Sequence, residues 1–136
     1  MESAGGQYFA GDLKVGGKIR TGDDIEQWAG RIYQALVSQN GTNAPTAKII
    51  FNSFTGTPQW SFVSTGSYKA TLQGAFPEGK TGVRIAPDGG VFGAGGFAGA
   101  DRISNDEISV RTQLRPSGTD ANGLLSDALF EIFVTP

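Results

Sequence analysis

Short runs of alternating apolar and polar residues, each ended by a turn signal, restrict most of this 136-residue chain to a β fold. The run 68–73 (YKATLQ) alternates most clearly, and 47–52 (AKIIFN), 108–114 (ISVRTQL) and 129–134 (LFEIFV) have the same character. Clusters of Gly, Pro, Asn and Asp separate the runs at intervals of about 8 to 12 residues. The sequence therefore predicts about seven or eight strands in a mainly β fold, an antiparallel β-sandwich or jelly roll over 41–136.

The composition agrees with a turn-rich β domain. Glycine is about twice as frequent as usual, at 21 of 136 residues, and it clusters at the turns without a three-residue period, which excludes collagen. A parallel α/β fold would need a helix between successive strands, and no helical periodicity follows Asn40. Within 47–52, strict alternation would place the odd-numbered residues on one face of the strand and the even-numbered residues on the other.

Histidine and cysteine are both absent, and their absence excludes several kinds of chemistry. Thiol nucleophiles, disulfides, zinc sites with Cys or His ligands and histidine-based acid–base catalysis are unavailable. The formal net charge is −2, from 11 basic and 13 acidic residues that are interspersed, so no nucleic-acid surface is indicated. No segment approaches the roughly 18 apolar residues of a membrane span, and no signal peptide is recognisable. We expect no cofactor, no nucleic-acid partner and no membrane insertion.

The stretch Asp23–Gln39 has the only long helical periodicity in the chain, because apolar residues recur in it every three or four positions. Asn40–Gly41 would end such a helix, since both residues tolerate the left-handed conformation. The sequence thus predicts an amphipathic helix over 23–40, whose apolar stripe packs either on the chain's own sheet or on further copies of the chain. The residues assigned to this oligomerisation stripe are Ile25, Trp28, Ile32, Ala35 and Leu36.

Residues 1–22 precede the predicted helix as a glycine-rich arm. Leu13, Val15 and Ile19 nearly alternate with basic residues, which is typical of a short strand, but the arm has too little apolar surface to fold alone. Two interpretations remain open. The arm is either a disordered leader or a segment that attaches to a partner by pairing with the edge of its sheet.

Three segments contain residue types found in binding sites without the required context. Gly93–Ala98 satisfies the loose dinucleotide pattern GxGxxA, but no helix follows it and no phosphate-loop lysine is present. Asp88–Gly90 and Ser117–Gly123 are rich in oxygen ligands suited to calcium, yet neither matches an EF-hand loop and ordinary turns explain the same residues. We expect no metal site from either.

Acidic and aromatic residues supply the remaining candidates. Asp101, Asp106 and Glu107 could provide the two carboxylates of a glycoside-cleaving enzyme, and solvated loop charges are the alternative. Trp60 and Tyr68, on neighbouring predicted strands, could present flat rings to a sugar, although aromatic residues at alternating positions usually belong to a core. We therefore assign no catalytic residue and keep Trp60 and Tyr68 as candidate ligand-binding residues.

Three segments after the predicted helix resemble small β domains of tailed-phage virion proteins. They are 39–50 (QNGTNAPTAKII), 57–85 (TPQWSFVSTGSYKATLQGAFPEGKTGVRI) and 128–136 (ALFEIFVTP). The shared features are packing and turn patterns, so the resemblance carries over no catalytic residue. The layout of an arm, a short helix and a distal β domain is similar to head fibres, capsid decoration proteins and tail-fibre tips, which are commonly trimers.

The resemblance implies a non-enzymatic virion structural protein, a head fibre or a capsid decoration protein. The arm would attach to a capsid or tail protein, the helix would form a homotrimer and the β domain would project outward. Such a protein would be made in the host cytoplasm and end in the virion. Two alternatives stay open: a tail-fibre module that binds a host-surface glycan or receptor, and a glycoside-cleaving enzyme.

Overall fold

The computed structural model describes residues 30–86 and 96–136, and Arg31–Thr135 form one compact unit. Eight strands and no helix occur among the described residues, so the mainly β, antiparallel character predicted from the turn spacing is confirmed. In chain order the strands are β1 (Arg31–Ser38), β2 (Thr46–Asn52), β3 (Gln59–Ser64), β4 (Ser67–Thr71), β5 (Thr81–Ala86), β6 (Gly96–Arg102), β7 (Glu107–Leu114) and β8 (Ala128–Val134).

The strands form two four-stranded antiparallel sheets. The first sheet has the order β2-β1-β8-β5, and the second has the order β3-β4-β7-β6. Alternate residues of both sheets are buried together in one hydrophobic core, which is why runs with a period of two could be recognised in the sequence. The fully buried core residues on these strands are Tyr33, Ala35, Val37, Tyr68, Ala70, Ile108, Val110, Ala128, Phe130 and Ile132.

The prediction of a helix over 23–40 is wrong for Arg31–Ser38, which form strand β1. This strand lies inside the first sheet, where it pairs with β2 on one side and β8 on the other. Ile32 and Leu36 are partly buried on the face opposite Tyr33, so the strand is apolar on both faces and its sequence imitates a helical stripe. Residues 23–29, which contain the rest of the predicted helix, lie outside the described residues, as does the arm over 1–22.

Strand β2 does not follow the strict alternation expected over 47–52. A β-bulge at Ile50 lets Ile49 pair with Ala35 while Phe51 pairs with Gln34. The extra residue shifts the alternation by one position, so Ile49 shares the core face of Ala35 and Phe51 lies on the opposite face. A bulge leaves no reliable signal in a single sequence, and the odd-numbered residues are therefore split between the two faces.

The turn between β3 and β4 is fixed by a glycine that no other residue can replace. Gly66 has φ +69°, and a Cβ atom there would lie 2.5 Å from the Thr112 carbonyl oxygen and 2.9 Å from the Ala121 amide nitrogen. Its own carbonyl accepts a hydrogen bond from Thr112 N at 2.9 Å, and its amide donates to Asn122 Oδ1 at 2.8 Å. The turn is thus held against β7 and the segment that follows it.

Replacing Gly66 with alanine should destabilise the fold far more than the same change at Gly118. Both glycines have positive φ, but nothing lies within 4 Å of a Cβ at Gly118. We expect G118A to cost about 1 kcal/mol from backbone conformation. G66A should cost about 1–3 kcal/mol more, because backbone atoms must move. Urea unfolding of the two variants checks this, and equal losses would contradict the structure of the turn.

Candidate functional site

Three consecutive large apolar residues are exposed on strand β2, at one side of the first sheet. Ile49, Ile50 and Phe51 have 47%, 57% and 50% of their surface accessible, and we call these three residues the β2 surface. Single exposed apolar residues are ordinary, but three in a row on an edge strand, with Ile49 and Phe51 on opposite faces, leave apolar side chains exposed on both sides of the edge of the sheet. The β2 surface is therefore the strongest candidate for function among the described residues.

Ile49 is exposed although it shares a face with the core residue Ala35. The reason lies in the neighbouring sheet. Trp60 of β3 packs against Phe130 of β8, with ring centroids 4.8 Å apart, and donates a hydrogen bond from Nε1 to the Tyr33 hydroxyl at 3.4 Å. The contacts of Trp60 are thus made with β1 and β8. On the neighbouring edge strand Ala47 packs against the core, whereas Ile49 on the same face stays exposed.

Two features limit the addition of another strand to β2. Lys48 stands in the middle of the strand and forms an ion pair with Asp127 at 3.3 Å, with 71% of its side chain exposed. The bulge at Ile50 distorts the hydrogen-bonding edge. Charged residues and bulges are the usual means by which edge strands avoid uncontrolled pairing. Contacts made by the β2 surface should therefore involve its side chains more than its backbone.

A polar row crosses the first sheet next to Phe51. Phe51 pairs with Gln34, Gln34 with Glu131, and Glu131 with Arg84. Gln34 Nε2 donates to Glu131 Oε2 at 2.5 Å, and Arg84 Nε donates to Glu131 Oε1. The hydrogen bond from Arg84 holds the pKa of the Glu131 carboxyl below its usual value, against the opposing effect of burial.

The three predicted oligomerisation residues that the structure describes do not share one surface. Ala35 is completely buried in the core, whereas Ile32 and Leu36 lie partly buried on the outer face of the first sheet. Ile25 and Trp28 lie outside the described residues. On a strand the side chains of Ala35 and Leu36 point to opposite faces, so they cannot form one stripe.

The two predicted ligand-binding aromatic residues contribute to the core. Tyr68 is fully buried, and Trp60 is partly buried between Phe130 and Tyr33. Burial raises the pKa of the hydroxyl groups of Tyr33 and Tyr68, which stay neutral at physiological pH. Tyr68 therefore has no ring surface open to a sugar, whereas part of Trp60 remains accessible.

The Tyr68 hydroxyl belongs to a structural hydrogen-bond network. It donates to Gln39 Oε1 at 2.8 Å, with Asn122 Oδ1 3.0 Å away. Gln39, which is 5% exposed, also accepts from Gly123 N at 2.8 Å and donates to the carbonyl of Gly41 at 2.8 Å. Both polar atoms of the Gln39 side chain are satisfied, so the network fastens loops to the core.

The three acidic residues are each engaged separately or face solvent. Asp106 Oδ1 accepts a hydrogen bond from Gly74 N at 2.7 Å, and Glu107 pairs with Lys69 at 2.9 Å. Asp101 lies on the exposed face of β6, opposite Ser109 of β7. Two of the three carboxylates thus have structural partners within the fold.

The segment 117–123, from which we expected no metal site, uses several of its oxygen atoms within the fold. Ser117 Oγ accepts from Thr119 N at 3.3 Å, and Asp120 Oδ1 accepts from Gln113 Nε2 at 3.1 Å. Among residues 30–86 and 96–136, no three acidic side chains come close enough to hold a metal ion. Asp88–Gly90 lies outside the described residues, whereas Gly96–Ala98 of the GxGxxA match belongs to β6. No helix in the described part of the chain is long and apolar enough to cross a bilayer.

Comparison with known protein families, with curated proteins and with solved structures finds no match in any of the three. The surface chemistry of the chain itself is therefore what a functional proposal must be based on.

Sequence reasoning missed the β2 surface, although the signal was present. Three adjacent apolar residues on a strand cannot all face one core, so Ile49-Ile50-Phe51 already required a second apolar contact. The run was assigned instead to one strand with a single buried face. The exposed Phe97 on β6 was missed for a different reason, since Gly93–Ala98 were considered only as a possible dinucleotide pattern and not as part of a strand.

The ion pair in the polar row should make stability depend on pH in a defined direction. A depressed carboxyl pKa stabilises the fold above the ordinary value of 4.5 and loses that contribution as pH falls through the folded value. Relative to E131Q, the wild-type chain should be about 1 kcal/mol more stable at pH 7, since Arg84 is largely exposed. This advantage should shrink as the pH falls below 4.5. Denaturant unfolding of both chains at several pH values measures this difference in stability. A difference that does not change with pH would contradict the ion pair.

Proposed function

We propose that this chain is a non-enzymatic structural protein whose copies associate through the β2 surface. The observation that carries the proposal is the exposure of Ile49, Ile50 and Phe51 on an edge strand of the first sheet. Burying three half-exposed large apolar side chains is favourable by about 25 cal/mol for each Å² removed from water. Because Ile49 and Phe51 lie on opposite faces, a partner that buries all three side chains must wrap around the edge of the sheet at β2.

The proposed setting is a virion, in a head fibre, a capsid decoration protein or a tail fibre. Its support is the resemblance of the segments that form β2 to β5 and β8 to small β domains of tailed-phage proteins. In this proposal residues 1–22 attach to a capsid or tail protein, and the assembled state is a homotrimer. The contact between copies differs from the one expected from the sequence, because β1 is a strand and the β2 surface replaces the helical stripe.

We also propose that the two sheets are the layers of a β-sandwich. The shared core and the contact of Trp60 with Tyr33 and Phe130 support this description. More specifically, we propose that this sandwich is a jelly roll. The pairing of β1 with β8 and of β4 with β7 joins strands distant in sequence, as the long returns of a double Greek key do.

The arrangement of the residues gives less support to the two alternatives, a glycan-binding module and a glycoside-cleaving enzyme. A sugar platform made of Trp60 and Tyr68 would require exposed rings, and these rings are at least partly buried. A glycoside-cleaving site would require two free carboxylates, and Asp106 and Glu107 have structural partners. Assembly is therefore the function that the described surface supports best.

Substituting a charge within the β2 surface should dissociate the assembly without unfolding the chain. We expect the wild-type protein to have about three times the mass of one chain in light scattering, and I50K to have the mass of a monomer, since a buried lysine is costly. I103K is the matched control. Ile103 is 51% exposed, close to the 57% of Ile50, but it follows β6 on the other side of the molecule.

The unfolding midpoints of both variants should stay near that of the wild-type chain, because both residues are exposed. A wild-type monomer over the whole micromolar range would contradict the proposal. The same conclusion would follow if I50K and I103K had equal masses.

A further inference from the structure

The outer face of the second sheet contains a shallow depression of about 290 Å³, and the assembly proposal makes no use of it. Strands β6 and β7 form it, and its lining residues include Phe97, Gly99, Asp101, Ser109, Arg111 and Gln113. We call this depression the β6–β7 groove. It differs from the β2 surface in location and chemistry, because β2 and β6 belong to different sheets and the groove combines polar side chains with one aromatic ring.

Two small residues on adjacent strands, Gly99 of β6 and Ser109 of β7, leave the base of the groove open. Gly99 pairs with Arg111, and Ser109 pairs with Asp101. A Cβ atom at Gly99 would make only ordinary contacts, 3.6 Å from the nearest atom of the Phe97 ring. The Phe97 ring therefore borders the space left by the missing Gly99 side chain, and larger side chains form the other walls of the groove.

The walls offer hydrogen-bonding groups that the fold leaves unused. Asp101 and Ser109 have no hydrogen bond or ion pair between their side chains and any described residue. Arg111 contacts Asp120 at 3.5 Å, which is long for a hydrogen bond, and Gln113 donates to Asp120 at 3.1 Å while its amide oxygen has no described partner. Free acceptors and free donors thus lie side by side around one depression.

An aromatic ring borders these polar groups. Phe97 is 43% exposed, and the guanidinium carbon of Arg115 lies 4.2 Å from the centre of its ring. This cation–π contact holds the ring in place, so an apolar ring and a planar guanidinium group lie together beside the groove. A ligand at this site would meet an apolar surface suited to its C–H groups and polar side chains suited to its hydroxyl groups.

The charges decide which kind of ligand fits. The two arginines, Arg111 and Arg115, are balanced by Asp101 and Asp120, so the groove favours neither an anion such as phosphate nor a cation. A hydroxyl group both donates and accepts, which suits adjacent carboxylate, amide and guanidinium groups. We infer that the β6–β7 groove binds a neutral oligosaccharide, with Asp101, Arg111 and Gln113 holding hydroxyl groups and Phe97 contacting a sugar face.

The experiment is a titration of the uniformly labelled full chain with neutral tetrasaccharides of glucose, mannose and N-acetylglucosamine, followed by amide resonances. At millimolar ligand, the Gly99, Ser109 and Gln113 resonances should shift with at least one sugar. D101N and Q113A should each weaken that binding about tenfold, as expected for the loss of one hydrogen bond with a charged or well-placed partner. Both residues are at the surface, and unchanged unfolding midpoints verify that the variants are folded.

Q59A is the matched control. Gln59 is exposed on β3, at the far side of the same sheet, and its side chain donates to the Thr57 carbonyl. Its removal should leave sugar binding unchanged. The inference is overturned if no neutral tetrasaccharide shifts the groove resonances, if Q59A weakens binding as much as Q113A, or if only tetragalacturonate or inorganic phosphate binds. Shifts that depend on protein concentration alone would assign the groove to a protein contact and would likewise overturn it.

Discussion

The simultaneous pairing of β1 with β2 and β8 is the interaction on which the rest of the structure depends. It joins the beginning of the described chain to its last strand, and it aligns Tyr33, Ala35 and Val37 with Phe130 and Ile132 in the core. This long-range pairing defines the centre of the first sheet, and the edge strands are added to it. Because β1 and β8 occupy the centre of the sheet, β2 is left at its side, where it meets solvent.

Strands with one buried face could be predicted from the sequence, and strands with two apolar faces could not. Tyr68 and Ala70 of β4 alternate with polar residues, so period two was unambiguous. In β1 the outer positions Ile32 and Leu36 are also apolar, and the same residues fit a helical stripe as well as a strand. Only the pairing with β2 and β8, which involves residues far along the chain, selects the extended conformation.

The candidate surfaces were less predictable because they depend on how the sheets cover each other. Ile49 would be buried if β3 lay across β2, and it is exposed because Trp60 is packed against β1 and β8 instead. The grouping of Asp101 with Arg111 depends on the register between β6 and β7. A single sequence shows neither how the two sheets cross nor the register between their strands. The run of three apolar residues in β2 nevertheless indicated a second contact.

The conformation of Arg31–Ser38 is the most direct test, because a helix there would remove both the first sheet and the exposed position of β2. Backbone assignment by NMR, with cross-strand contacts and amide exchange, measures it in the full chain. We predict extended secondary shifts over β1, contacts between Ala35 and Phe130, and slow exchange of these central amides. Helical shifts with contacts between residues three positions apart, and no contact with β8, would contradict the structure.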